Sequence, residues 1–251
     1  MLKANHITVR YGDHTVVDNL SFELHEGQWL MLAGPNGAGK STLISAIAQS
    51  VPYTGVIELE GADIRRYKAA QLARKVGVLA QKNAVGYAYS VEEVVGLGRY
   101  AYTSSFLSTR DEGGREQVER ALSLTGLTEL RHTSVLALSG GELQRTFLAQ
   151  VFAQDPQLLL LDEPANHLDL VYQKHIFSLI GQWLKQPGRA VISVVHDLSL
   201  ARRYGTHAVL LNEGRCAAQG DISTVLTPDN LRSVYNMDVY AWMREMLEQW
   251  Q

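Results

Sequence analysis

Cysteine is nearly absent: Cys216 is the only one in 251 residues. No intrachain disulfide can form, and the chain suits a reducing cytoplasm. No apolar run approaches the ~18 residues that a membrane-spanning helix requires. The start, Met1-Leu2-Lys3-Ala4-Asn5-His6, lacks the apolar stretch of a secretory leader. Any attachment to a membrane is therefore expected to come through a partner. An excess of one charge is also missing, since the formal net charge is -3, which gives no reason to expect nucleic acid as a partner. Internal repeats and low-complexity tracts are absent too. What is present is an apolar fraction of 46%, enough to build the core of one large domain, or of a core domain with an inserted subdomain.

Two glycine-rich loops dominate the remainder. Gly34-Pro35-Asn36-Gly37-Ala38-Gly39-Lys40-Ser41-Thr42 has the spacing G-x-x-x-x-G-K-[ST], with an apolar run before it and a helical pattern after it, and reads as a phosphate-binding P-loop. Its glycines let backbone amides approach phosphate oxygens at a helix N-terminus, where the macrodipole also favours negative charge. Lys40 is expected to reach the β- and γ-phosphates, and the Ser41 hydroxyl to join a Mg²⁺ shell. About a hundred residues later comes Leu138-Ser139-Gly140-Gly141-Glu142, upstream of four leucines ending in Asp162-Glu163. Leu158 to Leu161 reads as a buried strand. Asp162 at its end is placed to hold Mg²⁺, directly or through water. Glu163 is placed to polarise an attacking water as general base. The joint reading is a chain that binds and hydrolyses a nucleoside triphosphate.

Periodicity divides the chain into three zones. From Leu2 to about Gly61, alternation at Leu20, Phe22 and Leu24 predicts antiparallel strands, with Gly27 turning the chain into a buried strand over Trp29 to Ala33. From about Asn83 to Phe152 the strand signals give way to helical patterns at Val91 to Leu97, Glu116 to Leu124 and Glu142 to Ala153. Ser139 is expected to cap the last of these, with Glu142 completing a capping box. From Leu158 onward strand and helix alternate again through Ala190 to Val195 and Ala208 to Leu211, as a mostly parallel sheet requires.

Taken in order, these segments resemble the ATP-binding cassette (ABC) ATPases, and the likeness runs nearly end to end. It implies an α/β P-loop NTPase with a mostly parallel sheet core, an N-terminal antiparallel β subdomain and an inserted α-helical subdomain. That would be one cassette over 1–251, with a nucleotide-binding core at 1–82 and 156–251 and a helical signature subdomain at 83–155. Tyr11 matches the aromatic that stacks on adenine, and Gln81 the Q-loop glutamine that touches metal or attacking water. Leu138 to Glu142, continued by Gln144-Arg145, match the signature. Asn166-His167-Leu168-Asp169 matches the D-loop, and His196 the switch histidine on the γ-phosphate. The resemblance further implies that the signature grips the γ-phosphate of ATP bound to another subunit. Because one chain carries every motif, the economical assembly is a two-fold homodimer with Asp169 at its interface. ATP and Mg²⁺ are the implied cofactors.

Cargo rests on fewer residues. Tyr89-Ser90-Val91 leading into Gly96-Leu97-Gly98-Arg99-Tyr100, and Leu226 to Leu231 with Tyr235, resemble importer ATPases of the iron-siderophore, haem and cobalamin class. That class implies permease subunits and a substrate-binding protein as partners, and a place on the cytoplasmic face of the inner membrane, held through the permease. The departures are Ala101, where a proline is common nearby, and Asn236, where glycine is common. An ATPase subunit for another cargo or for an exporter stays open, as does a soluble cassette protein without a transport role. Over Val239 to Gln251, Trp242, Met246 and Trp250 recur at helical spacing with Met243 and Leu247 beside them, a stripe expected first to pack on its own subunit, with a contact to a second copy or, lacking a basic face, a membrane surface left open.

Overall fold

The alternation at Leu20, Phe22 and Leu24 is realised: these side chains are buried along β2 (His14–Leu24), which pairs antiparallel with β1 (Leu2–Tyr11). β3 (Trp29–Ala33) is buried at every residue and leads into α1 (Lys40–Ile47). β4 (Thr54–Leu59) and β5 (Ala62–Asp63) complete a four-stranded sheet in the order β2-β1-β4-β5. The computed structural model describes residues 1–80, 86–102, 113–166 and 168–249. The chain folds as two compact units, one made of 1–63 with 192–251 and the other of 64–191.

The second unit opens with α2 (Ala69–Lys75) and β6 (Val76–Leu79), followed by α3 (Val91–Gly96), α4 (Gly114–Leu124) and α5 (Gly140–Ala153). It continues with β7 (Leu158–Asp162) and α6 (Leu170–Leu184). β6 runs parallel to β7, from Val76 opposite Leu158 to Leu79 opposite Leu161. The helices form where capping chemistry and an apolar face coincide. Ser90 and Glu93 make a capping box at the start of α3, and Val91, Val94 and Val95 face inward with Val118, Leu122, Leu148 and Phe152. Phe152 of α5 stacks on Trp183 of α6 with ring centroids 6.1 Å apart.

Arg131 clamps this helical cluster from one side. Its guanidinium donates to Glu92 of α3 at 2.6 and 3.1 Å and to Glu119 of α4 at 2.6 and 3.0 Å. Hydrogen bonding to Arg131 is the largest cause holding both carboxyls below the usual carboxylate range. Carboxyls with folded pKa values below their unfolded ones contribute stability that is complete above the unfolded value and lost as pH falls through the folded one. Arg131→Leu is therefore expected to lower the melting temperature at pH 7, with the difference from the parent shrinking as the pH drops below about 4. A difference that stays constant from pH 7 to pH 3 in thermal scans would remove the ion pairs as its cause.

β8 (Ala190–Val194) brings the chain back to the first unit, which closes with α7 (Leu198–Tyr204), β9 (His207–Asn212) and β10 (Arg215–Asp221). α8 (Ile222–Val225), α9 (Pro228–Tyr235) and α10 (Val239–Glu248) follow. Here the strands stand in the order β10-β9-β3-β8, with β3 parallel to β9 and β10 antiparallel on the edge. The Trp29 indole donates to the Ser193 hydroxyl at 2.8 Å, fastening β3 to β8 in the core. β10 left no periodic signal because it is mostly exposed, with polar residues along its length. Asn236 ends α9 at φ 54, ψ 30, the left-handed position that glycine or asparagine fills at helix ends, so its departure from the pattern is accommodated.

The C-terminal helix corrects one expectation. Trp242 is 50% and Met246 48% exposed, so the Trp/Met stripe is not packed on its own subunit. The rotation of α10 is set instead by its other face. Asp238 caps the helix at Ala241 and pairs with Arg232. The Tyr240 hydroxyl donates to the Leu226 carbonyl at 2.8 Å and also meets Arg202. These polar anchors turn Tyr240 and Met243 inward, and the Trp242 side is left facing out. Trp250 lies outside the described residues.

Candidate functional site

The P-loop is assembled where β3 stops. Gly34 adopts φ +138, and a Cβ there would stand 2.1 Å from the Leu211 carbonyl oxygen at the end of β9. No L side chain fits, which explains the glycine that opens the motif. Gly39 caps α1 in a left-handed conformation with no side-chain hydrogen bond at the cap. Lys40 is 5% exposed, and its ammonium donates to the carbonyls of Gly34 at 2.7 Å and Pro35 at 2.8 Å. That fixes a buried positive charge beneath the loop formed by Pro35, Asn36, Gly37 and Ala38. Ser41 and Thr42 occupy the first turn of α1.

Tyr11 and His196 belong to the same unit. Tyr11, 51% exposed, ends β1 opposite His14. The strand after that turn passes close to the P-loop, since a Cβ on Gly39 would lie 2.6 Å from the Val16 carbonyl oxygen. The Val195 amide donates to the Leu32 carbonyl at 3.3 Å, so His196 leaves its strand two residues from where Gly34 leaves β3. His196 is exposed, and Asp197 beside it caps α7 through the amides of Ser199 and Leu200. Tyr11, the P-loop and His196 are thus brought together on one unit.

Asp162, Glu163, the signature and Asp169 belong to the other. β7 is buried through Leu161 and half-opens at Asp162. Glu163 takes φ 54, a left-handed conformation that costs a non-glycine residue about 1–3 kcal/mol. The buried Pro164 and Ala165 that follow hold it there. Ser139 caps α5, with its amide and hydroxyl donating to the Glu142 carboxylate at 2.8 and 2.7 Å, so the expected capping box is present. Those two bonds, the hydroxyl first, hold the Glu142 pKa below its ordinary value. Ser139 and Gly140 are exposed. Gln144 donates to the Pro164 carbonyl at 2.8 Å, tying α5 to the segment just past Glu163. Asp169 caps α6 at the Tyr172 amide. Gln81 and His167 lie outside the described residues.

A family model described as ABC transporter matches residues 17–166. The chain belongs to the ABC transporter family. This ABC cassette is 36% identical to the ferric enterobactin transport ATP-binding protein FepC of Escherichia coli (strain K12), over 94% of this chain and 87% of that one. It is 40% identical to the hemin import ATP-binding protein HmuV of Pseudomonas entomophila (strain L48), over 95% and 94% respectively. Its fold matches a solved transporter of metal-chelate type in an inward-facing conformation with a TM-score of 0.82 at 26% identity, covering 94% of this chain and 89% of that one.

Two placements in this ABC cassette add to what the motifs name. The Asn166 amide donates to the Glu163 carboxylate, so a D-loop residue orients the candidate base. The Tyr235 side chain, on the last turn of α9, lies beside the Gly34 backbone. Burial pushes the Tyr235 pKa up and keeps its hydroxyl protonated. Asn166 had a signal, its place three residues after Glu163. Tyr235 had none, because nothing in a 200-residue separation marks a side chain as reaching back to a loop.

Proposed function

We propose that this chain is the ATP-hydrolysing subunit that energises a membrane importer for an iron chelate of the siderophore or haem class. The observation that carries the reading is identity of 34–40% to siderophore and haem import ATPases over nearly the whole chain. No helix among the described residues is long and apolar enough to cross a membrane. The reading therefore requires permease subunits, which would hold the chain at the cytoplasmic face of the inner membrane. A substrate-binding protein would deliver cargo from the far side.

The mechanism follows from what each side chain can do. Lys40 and the amides around Gly37 to Ser41 bind the phosphates of ATP, and Tyr11 stacks on adenine. Glu163, steadied by Asn166, takes a proton from the attacking water. His196 contacts the γ-phosphate, and Gln81 senses water and partner. The donor set also fits Mg²⁺. Ser41 on one unit offers a hydroxyl and Asp162 on the other a carboxylate, hard oxygen donors of the kind Mg²⁺ takes beside phosphate and water. When bound, that ion neutralises charge developing on the phosphates.

In this reading the exposed Ser139-Gly140 edge caps the ATP held by a second copy, so ATP closes a homodimer and hydrolysis lets it open. The test is transport. The chain is to be captured with its permease from membrane extracts and rebuilt into vesicles, where ATP should drive uptake of a ferric siderophore or haem. Full ATPase activity with no membrane partner and no uptake would overturn it.

A further inference from the structure

The first turn of α5 contains Gly140-Gly141, the pair with the least intrinsic conformational restraint available. Its orientation must therefore come from whatever packs against it. Ser139 and Gly140 are exposed, whereas Gly141 is buried, and the group lying on Gly141 is Tyr172. A methyl placed on Gly141 would stand 3.0 Å from the ring carbons Cγ and Cδ1 and 3.1 Å from Cδ2. Packed carbons prefer about 3.5–4.0 Å. The glycine backbone thus rests directly on the ring face.

The ring is itself fixed. Tyr172 sits in the first turn of α6, where its amide donates to Asp169 Oδ1 at 3.0 Å. Gln173 beside it donates to the Leu168 carbonyl at 3.0 Å. Arg145, one turn along α5 from Gly141, places its guanidinium 5.9 Å from the ring centroid and donates to the Thr125 carbonyl at 3.0 Å. A second tie, Gln144 to the Pro164 carbonyl, holds α5 to the strand that carries Glu163. Signature turn, D-loop cap and base segment are therefore one packed block, and Tyr172 is the piece between the first two.

We propose that Tyr172 is a positioning residue whose ring seats Gly141 and so sets the direction in which Ser139 and the Gly140 and Gly141 amides meet the γ-phosphate of ATP on a second copy. This rests on the shared-site reading above. The ring face carries the contact, and the hydroxyl plays no part in it. Sequence reasoning gave Tyr172 no role, since an aromatic three residues past a D-loop looks like any other helical packing residue.

The test uses the full chain with Tyr172→Ala, Tyr172→Leu and Tyr172→Phe, each with its melting temperature measured. ATP affinity of the isolated subunit should stay within about 2-fold of the parent, because the P-loop is intact. Turnover at saturating ATP should fall by ~10- to 100-fold in Tyr172→Ala, the scale of a misdirected transition-state contact. It should fall less in Tyr172→Leu and recover in Tyr172→Phe. If Tyr172→Ala does not fold, the comparison of Tyr172→Leu with Tyr172→Phe decides. Parental turnover in Ala or Leu, equal loss in Leu and Phe, or ATP affinity falling in step with turnover would each overturn the proposal. Ser139→Arg is run alongside. If it abolishes ATP-driven pairing while the Tyr172 variants stay active, Tyr172 alone is refuted; if it turns over normally, the shared site fails and Tyr172's role fails with it.

Discussion

Glu163→Gln is expected to cut ATP turnover by at least ~100-fold, the scale of a lost positioned base, while leaving ATP bound and the homodimer trapped closed. The substitution is nearly isosteric, and its amide oxygen can still accept from Asn166, which now orients the carboxylate. The left-handed backbone at residue 163 and the buried Pro164 and Ala165 do not depend on the charge. What disappears is basicity alone. In the proposed mechanism hydrolysis opens the dimer, so its removal should also shift the chain in size-exclusion runs with ATP and Mg²⁺ from monomer to a long-lived dimer. Unchanged turnover would take Glu163 out of the base role, and lost turnover without a trapped dimer would separate hydrolysis from opening.

Lys40→Ala should act one step earlier. The ammonium is buried and bridges the Gly34 and Pro35 carbonyls, so its loss removes the positive charge beneath the proposed phosphate-binding loop and a tie within it. Charged hydrogen bonds of this kind contribute ~1.5–3 kcal/mol, so ATP affinity should fall by about 10- to 150-fold, each 1.4 kcal/mol being tenfold. Calorimetry on the isolated chain reads this without interference from dimer closure. Parental affinity would count against the P-loop assignment. The contrast with Glu163→Gln is the informative part: one variant should fail to bind, the other should bind and fail to release.

Much of this was legible in the sequence because the signals were local. The P-loop glycines, the capping box of Ser139 and Glu142, the buried leucines before Asp162 and the alternation in β2 each follow from a few adjacent residues, and each is present in the structure. Signals failed where the cause lies elsewhere in the chain. β10 is held by pairing with β9 rather than by any apolar pattern of its own. The rotation of α10 is decided by Asp238, Arg232, Arg202 and the Leu226 carbonyl, so the Trp242 stripe pointed to a packing that those polar anchors override. Tyr172 packs on a glycine distant in the chain, where only the folded arrangement shows a ring on Gly141. Local chemistry marked the candidate site, and long-range packing made the contacts around it that no local pattern marks.

The account depends on ATP being closed between two copies of this chain, with the P-loop from one and the Ser139 turn from the other. The most direct measurement is ATP turnover per subunit as a function of protein concentration at saturating ATP and Mg²⁺. The account predicts a rate that rises with concentration toward a plateau, and a Ser139→Arg variant whose rate stays low throughout. A rate per subunit that is maximal and constant down to concentrations where the chain is strictly monomeric would contradict it.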